Sequence, residues 1–108
     1  MYSEFLSLSG FTVTAVGTGT AAFEVAAASP PDIVVTDIVL PGEVDGLELT
    51  RQLRRDARTR NVAVVVLSGR EIGGDEEEVE GSGCDLFLRK PCLPDKLASE
   101  LRRVIEER

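Results

Sequence analysis

Two apolar runs constrain this chain more than any other feature. "DIVVTD", residues 32–37, and "VAVVVLS", residues 62–68, show no alternation of apolar and polar side chains. A strand with one wet face alternates; an unbroken run of Val, Ile and Leu is the pattern of a parallel-sheet strand covered by helices on both faces. The first run also places Asp37 between Ile33-Val34-Val35 and Ile38-Val39-Leu40. Burying a carboxylate alone among such side chains is costly, so Asp37 calls for a partner or a role.

The segments around these runs alternate in kind. Tyr2, Phe5 and Leu6 or Leu8 have near-helical spacing, and Gly10 stands where a helix stops. "FTVTAV", residues 11–16, alternates and reads as a strand. Thr18 to Ser29 sets Ala22, Phe23 and Ala26 on one helical face, ended by Pro30-Pro31. "GLELTRQLRRDARTR", residues 46–60, is amphipathic through Leu47, Leu49 and Leu53, with its arginines outside. Residues 71–82 favour a helix only weakly, because Gly73 and Gly74 oppose it and Ile72 and Val79 alone anchor it. "CDLFLRK", residues 84–90, has strand character. Pro94 and Asp95 open a last helix with Leu97, Leu101 and Val104 or Ile105 inward. Strands and helices in this order specify a doubly wound α/β sheet with right-handed crossovers, and residues 1–108 form one domain.

Composition narrows the function. The chain of 108 residues contains no histidine, which excludes Ser-His-Asp and Cys-His nucleophile activation, His-rich zinc sites and a histidine phosphocarrier. Its net charge of −7 argues against nucleic acid as a partner, since that affinity comes largely from cations on phosphates. Residues 1–50 hold no Lys or Arg, and Arg51, Arg54, Arg55, Arg58 and Arg60 then cluster as the wet face of a helix. Cys84 and Cys92 belong to one extended segment too long for a disulfide, so free thiols are expected. No apolar stretch reaches the roughly 18 to 20 residues of a membrane span, and a cytoplasmic location without membrane contact is expected.

Each buried strand finishes in a polar residue: Asp37, then Ser68, then Lys90. In open parallel sheets the ligand site lies beyond the carboxyl ends of the strands. Adjacent strands would bring a carboxylate, a hydroxyl and an ammonium to one edge. A carboxylate is a competent nucleophile toward phosphorus. Lysine would then stabilise the phosphoryl oxygens as a point charge, and serine would donate a hydrogen bond to one of them. The plainer reading keeps Lys90 and Asp37 as a structural ion pair, with Ser68 merely ending its strand.

"PDIVVTDIVLPGEVDGLEL", "VAVVVLSG" and "GCDLFLRKPCLPDKL" together resemble the receiver domain of bacterial two-component response regulators. The resemblance implies a flavodoxin-like receiver fold, with strand order 2-1-3-4-5 in the family's numbering. It implies Asp37 as phosphoacceptor, Ser68 as the hydroxyl that moves toward the phosphoryl group and Lys90 as the cation that contacts it. Phe87 matches the family's aromatic switch, against an ordinary core aromatic. Pro91 matches a proline preceded by a cis bond.

The chain departs from the family at its start. It begins inside the helix that follows the family's first strand, so it reads as N-terminally truncated, without that strand and its acidic pair. Those acids hold Mg²⁺, the cofactor the family implies; here Asp37 and the carbonyl of Val39 remain as ligands. Glu43 and Asp45 are substitutes only if they are more than solvated loop acids. Weak metal affinity and slow or absent phosphorylation are therefore expected. The loss also opens two sheet edges, to be closed by pairing of "FTVTAV" with "DIVVTD" or by a dimer, unless a longer reading frame supplies the strand.

The resemblance implies a phosphoacceptor in a phosphorelay rather than a conventional enzyme. Its partners would be a histidine kinase and a downstream protein target, with no nucleic acid and no membrane. A homodimer through the 71–108 face would pair the acids of residues 75–80 with Arg89, Lys96, Arg102 and Arg103. The alternative is a degenerate receiver that binds proteins without phosphorylation. An enzyme on a flavodoxin-like sheet is disfavoured, because no Gly-rich phosphate loop follows any strand.

Overall fold

The computed structural model describes residues 2–69 and 76–107. Its elements are α1 (Tyr2–Leu8), α2 (Gly19–Ala28), β1 (Ile33–Asp37), α3 (Gly46–Arg55), β2 (Ala63–Ser68), α4 (Glu76–Ser82), β3 (Leu86–Arg89) and α5 (Pro94–Glu106). The strands form a three-stranded parallel sheet in the order β1-β2-β3. Ile33 to Asp37 run beside Ala63 to Leu67, and Val65 to Ser68 beside Leu86 to Arg89. All six β2 residues are buried, as expected of a central strand with no polar alternation.

The pleat sends alternate residues to two cores. Ala63, Val65 and Leu67 pack with Leu6 of α1 and Leu97, Leu101 and Val104 of α5. Val64 and Val66 pack with Ala26 of α2, Leu47, Leu49 and Leu53 of α3, and Val79 of α4. This is the doubly covered sheet that the apolar runs require.

Local chemistry sets the helix ends. Thr18 caps α2 by accepting from the Ala21 amide, and Asp45 caps α3 by accepting from Glu48 N at 2.8 Å. Gly10, at φ +99°, ends α1 with the Phe11 amide bonded back to Leu6 O. Glu77 and Glu78 lie in the first turn of α4, where the helix dipole favours negative charge. Val79, 6 % exposed, anchors that helix to the core. Residues 71–75, which the weak-helix expectation also covered, lie outside the described residues.

Three expectations need correction. "FTVTAV" is not a strand: residues 11–16 carry no regular secondary structure and pair with no strand among the described residues. Phe11 and Val13 still pack against the α1/α5 core, so the side-chain alternation survives without a ladder. Nor do these residues close onto β1, whose only strand neighbour among the described residues is β2. A strand needs a backbone partner, and side-chain pattern alone does not supply one. The arginine cluster is also not one wet helical face. The helix stops at Arg55, where Asp56 turns back to accept from the Arg58 amide and Thr59 Oγ1 donates to Leu53 O. Arg54 turns inward: it donates to Gly83 O, Arg60 O and Val62 O and pairs with Asp85 at 2.9 Å.

Candidate functional site

At the end of β1 the Ile38 amide still donates to Leu67 O at 3.0 Å, and the chain then leaves the sheet. Ile38 turns into the core and Val39 turns out to solvent, 64 % exposed. The chain returns at α3, where the Gly46 amide donates to Ile38 O at 2.7 Å. Asp37 is thereby held at the C-terminal rim, with Thr36 Oγ1 donating to its carbonyl at 2.9 Å.

Lys90 reaches the same rim from the other side of β2. Its amide donates to Ser68 O at 2.8 Å, one step past the last paired residue of β3, and the Lys90–Pro91 peptide is cis. Its stem passes Gly69, where a Cβ would lie 3.8 Å from Lys90 Cδ. The ammonium ends 2.8 Å from Asp37 Oδ1. Ser68, 3 % exposed, ends the middle strand, between the strands that carry Asp37 and Lys90.

The Asp37 and Lys90 side chains are 42 % and 38 % exposed. The carboxylate is therefore not a buried charge, and the cost that the sequence raised does not arise. A pair this wet contributes only about 0 to 1 kcal/mol to stability. What it does supply is a carboxylate partly open to solvent with an ammonium 2.8 Å away.

Phe87 lies in register with Val66, half-buried against the α2/α3/α4 core. Among the other loop acids, Glu43 is exposed and the Asp45 carboxylate accepts from the Glu48 amide as the α3 cap. Among the described residues no three His, Cys, Asp or Glu side chains gather as a metal site. Mg²⁺ usually takes about six oxygen ligands, and no cluster of three acidic side chains among the described residues offers it a protein-made shell. Two surface hollows, around Leu8 and Val13 and around Phe23 and Arg55, do not include Asp37.

Sequence reasoning passed over Gly46, which packs directly behind Asp37. The signal was the pair Asp45-Gly46 at the head of an amphipathic segment: a helix cap, then a residue without a side chain.

Comparison with known proteins bears on this arrangement. The family model of the response regulator receiver domain matches residues 1–102. The chain is 37 % identical over 102 residues to the response regulator Rre1 of Synechocystis, covering 94 % of this chain and 44 % of that protein. It is 32 % identical over 91 residues to the polar-differentiation response regulator DivK of Brucella ovis, covering 84 % of this chain and 73 % of that one. The chain thus spans less than half the length of the first relative. Among solved structures, the signal receiver domain of a histidine kinase from Syntrophus aciditrophicus superposes with a TM-score of 0.88 at 28 % identity, covering 97 % of this chain and 79 % of that one. The receiver domain of sensor histidine kinase PA1611 from Pseudomonas aeruginosa, which has magnesium coordinated in its active-site cleft, gives 0.86 at 30 % identity, covering 95 % and 84 %.

Proposed function

We propose, since this chain belongs to the response regulator receiver domain family, that it accepts a phosphoryl group on Asp37 from a histidine kinase and signals through protein contacts. The observation that carries the reading is the half-exposed Asp37 carboxylate with Lys90 Nζ 2.8 Å from Oδ1 at the rim of the sheet. In the transfer an O–P bond forms at Asp37 as the P–N bond of a phosphohistidine breaks, and the electron pair stays on the imidazole nitrogen. Lys90 offsets the charge on the incoming phosphoryl oxygens, and the Ser68 hydroxyl donates to one of them. Phe87 then turns inward and carries the change to the face of α4, β3 and α5.

Mg²⁺, where bound, would neutralise phosphoryl charge, with Asp37 and the Val39 carbonyl as its protein ligands. These donors fall short of a full shell, so the steps assigned here to Asp37, Lys90 and Ser68 do not pass through the metal. The same shortage favours a second reading, a receiver that binds its partner without phosphorylation.

Incubation with acetyl phosphate and Mg²⁺, followed by intact mass and site mapping, separates the two. One phosphoryl group, mapped to Asp37 and absent from Asp37→Asn, supports the first reading. No incorporation supports the second.

The output face includes exposed Glu77, Glu78 and Glu80 on α4, with Arg89 and Lys96 exposed nearby in sequence. A homodimer through this face would rely on those residues. Arg102 is engaged within the chain by Ser9 O and the Phe11 ring, and Arg103 by Glu100 and Glu107. Sedimentation at low and high salt tests it: a dimer that dissociates in salt is expected, and a monomer in both removes it.

A further inference from the structure

The first turn of α3 sits directly on the peptide that carries Asp37. A Cβ placed on Gly46 would lie 1.8 Å from Asp37 O, 2.8 Å from Asp37 C and 3.1 Å from Ile38 Cα. Gly46 does not have a positive φ, so conformational freedom is not why glycine stands here. The reason is room. The atoms it would strike belong to strand backbone, not to a flexible side chain that can swing aside. Behind it the loop is clasped a second time: a Cβ on Gly19, the first residue of α2, would lie 2.6 Å from Val44 O and 2.7 Å from Val44 Cγ1. The segment returning from the site is thus held between two residues that lack side chains.

We propose that Gly46, held in place by the Gly19–Val44 contact, is a positioning residue for the Asp37 carboxylate. This rests on the reading of Asp37 as phosphoacceptor. The direction of that side chain follows from its backbone, which is fixed from three sides. The β1–β2 ladder holds it along the strand, the Ile38 amide ties it to Leu67 O, and Gly46 closes it from the α3 side. A methyl group at position 46 has to move the Asp37–Ile38 peptide by on the order of 1 Å, a displacement that typically costs about a hundredfold in rate where geometry governs attack.

The test uses the full chain and two readouts, one of which needs no phosphate. The Lys90 ε-methylene NMR signal is recorded in the parent, in Asp37→Asn, where the ion pair is gone, and in Gly46→Ala. Gly46→Ala is expected to move that signal toward its Asp37→Asn position and to slow acetyl phosphate labelling about a hundredfold. Arg54→Ala, which loosens the opposite end of the sheet, is the stability control and is expected to keep labelling within about twofold of the parent. A folded Gly46→Ala protein whose Lys90 signal stays at the parent position overturns the proposal. Should Gly46→Ala fail to fold, Gly19→Ala decides, because it drives the same loop through Val44: a shifted Lys90 signal supports the clasp and an unmoved one overturns it. A parent that takes up no phosphoryl group counts against the phosphoacceptor reading, while the Lys90 signal still measures the positioning.

Discussion

Lys90 Nζ lies 2.8 Å from Asp37 Oδ1, and the two residues are brought together by strands that do not touch each other: β1 and β3 are joined only through β2. The ion pair is therefore a product of the sheet order. With both side chains more than a third exposed, it adds about 0 to 1 kcal/mol to stability. Lys90→Met is accordingly expected to shift the urea midpoint little while lowering the rate of Asp37 labelling by acetyl phosphate about a hundredfold, the usual cost of removing one preorganised electrostatic donor. Equal labelling of the two proteins would return the pair to a structural role.

The heaviest polar staple lies at the other end of the sheet. Arg54 donates to three carbonyls and pairs with Asp85, whose Oδ2 also accepts the Val64 amide at 2.7 Å. One side chain thus joins α3, the loop before β2 and the start of β3. Hydrogen bonds to a charged group contribute more than neutral ones, and truncation leaves several acceptors without their donor. Arg54→Ala is expected to destabilise the fold by about 2 to 3 kcal/mol in urea titration. A loss below about 0.5 kcal/mol would mean that water replaces the guanidinium at no cost.

This staple also marks where sequence reasoning stops. The β1 and β2 runs, the α5 stripe and the extent of α2 were legible because each depends on near neighbours in the chain. The meeting of Asp37 and Lys90 was legible because parallel strands put their C-terminal ends on one edge. Arg54 was not, since its partners lie up to 31 residues away and nothing in a helical arginine announces an inward turn. Gly46 was missed for a related reason: Asp45-Gly46 reads as the cap and start of a helix, and nothing in that pair tells of the distant Asp37 backbone that leaves no room for a side chain. "FTVTAV" misled because alternation records which side chains are buried, not whether the backbone is paired.

Acid sensitivity has an identifiable local source. Hydrogen bonds from Arg58, side chain first and then backbone, pull Asp56 from 3.8 down to about 2. A carboxyl whose folded value is depressed supports the fold above its unfolded value, and that support is lost as pH falls through the folded one. The Asp56–Arg58 contribution is therefore complete above pH 3.8 and disappears toward pH 2. Asp56→Asn is expected to unfold less steeply with acid over that window than the parent, followed by circular dichroism at fixed urea. Identical acid profiles would show that the turn after α3 plays no part in acid unfolding.

Residues 11–16 supply the sharpest test of the architecture. Phe11 and Val13 are half-buried against the α1/α5 core while Thr12 and Thr14 face water, and no strand among the described residues pairs with this segment. Amides without ladder bonds exchange at close to the rate of local opening, whereas those of a fully buried central strand wait for global unfolding. Hydrogen exchange is therefore expected to give the slowest amides at Val65 to Leu67 and fast ones from Thr12 to Val16. Comparable protection in both places would mean that the segment has found a partner strand. Its dependence on protein concentration would then identify the partner: protection that grows with concentration requires a second molecule at the edge, and protection that does not requires pairing within the chain.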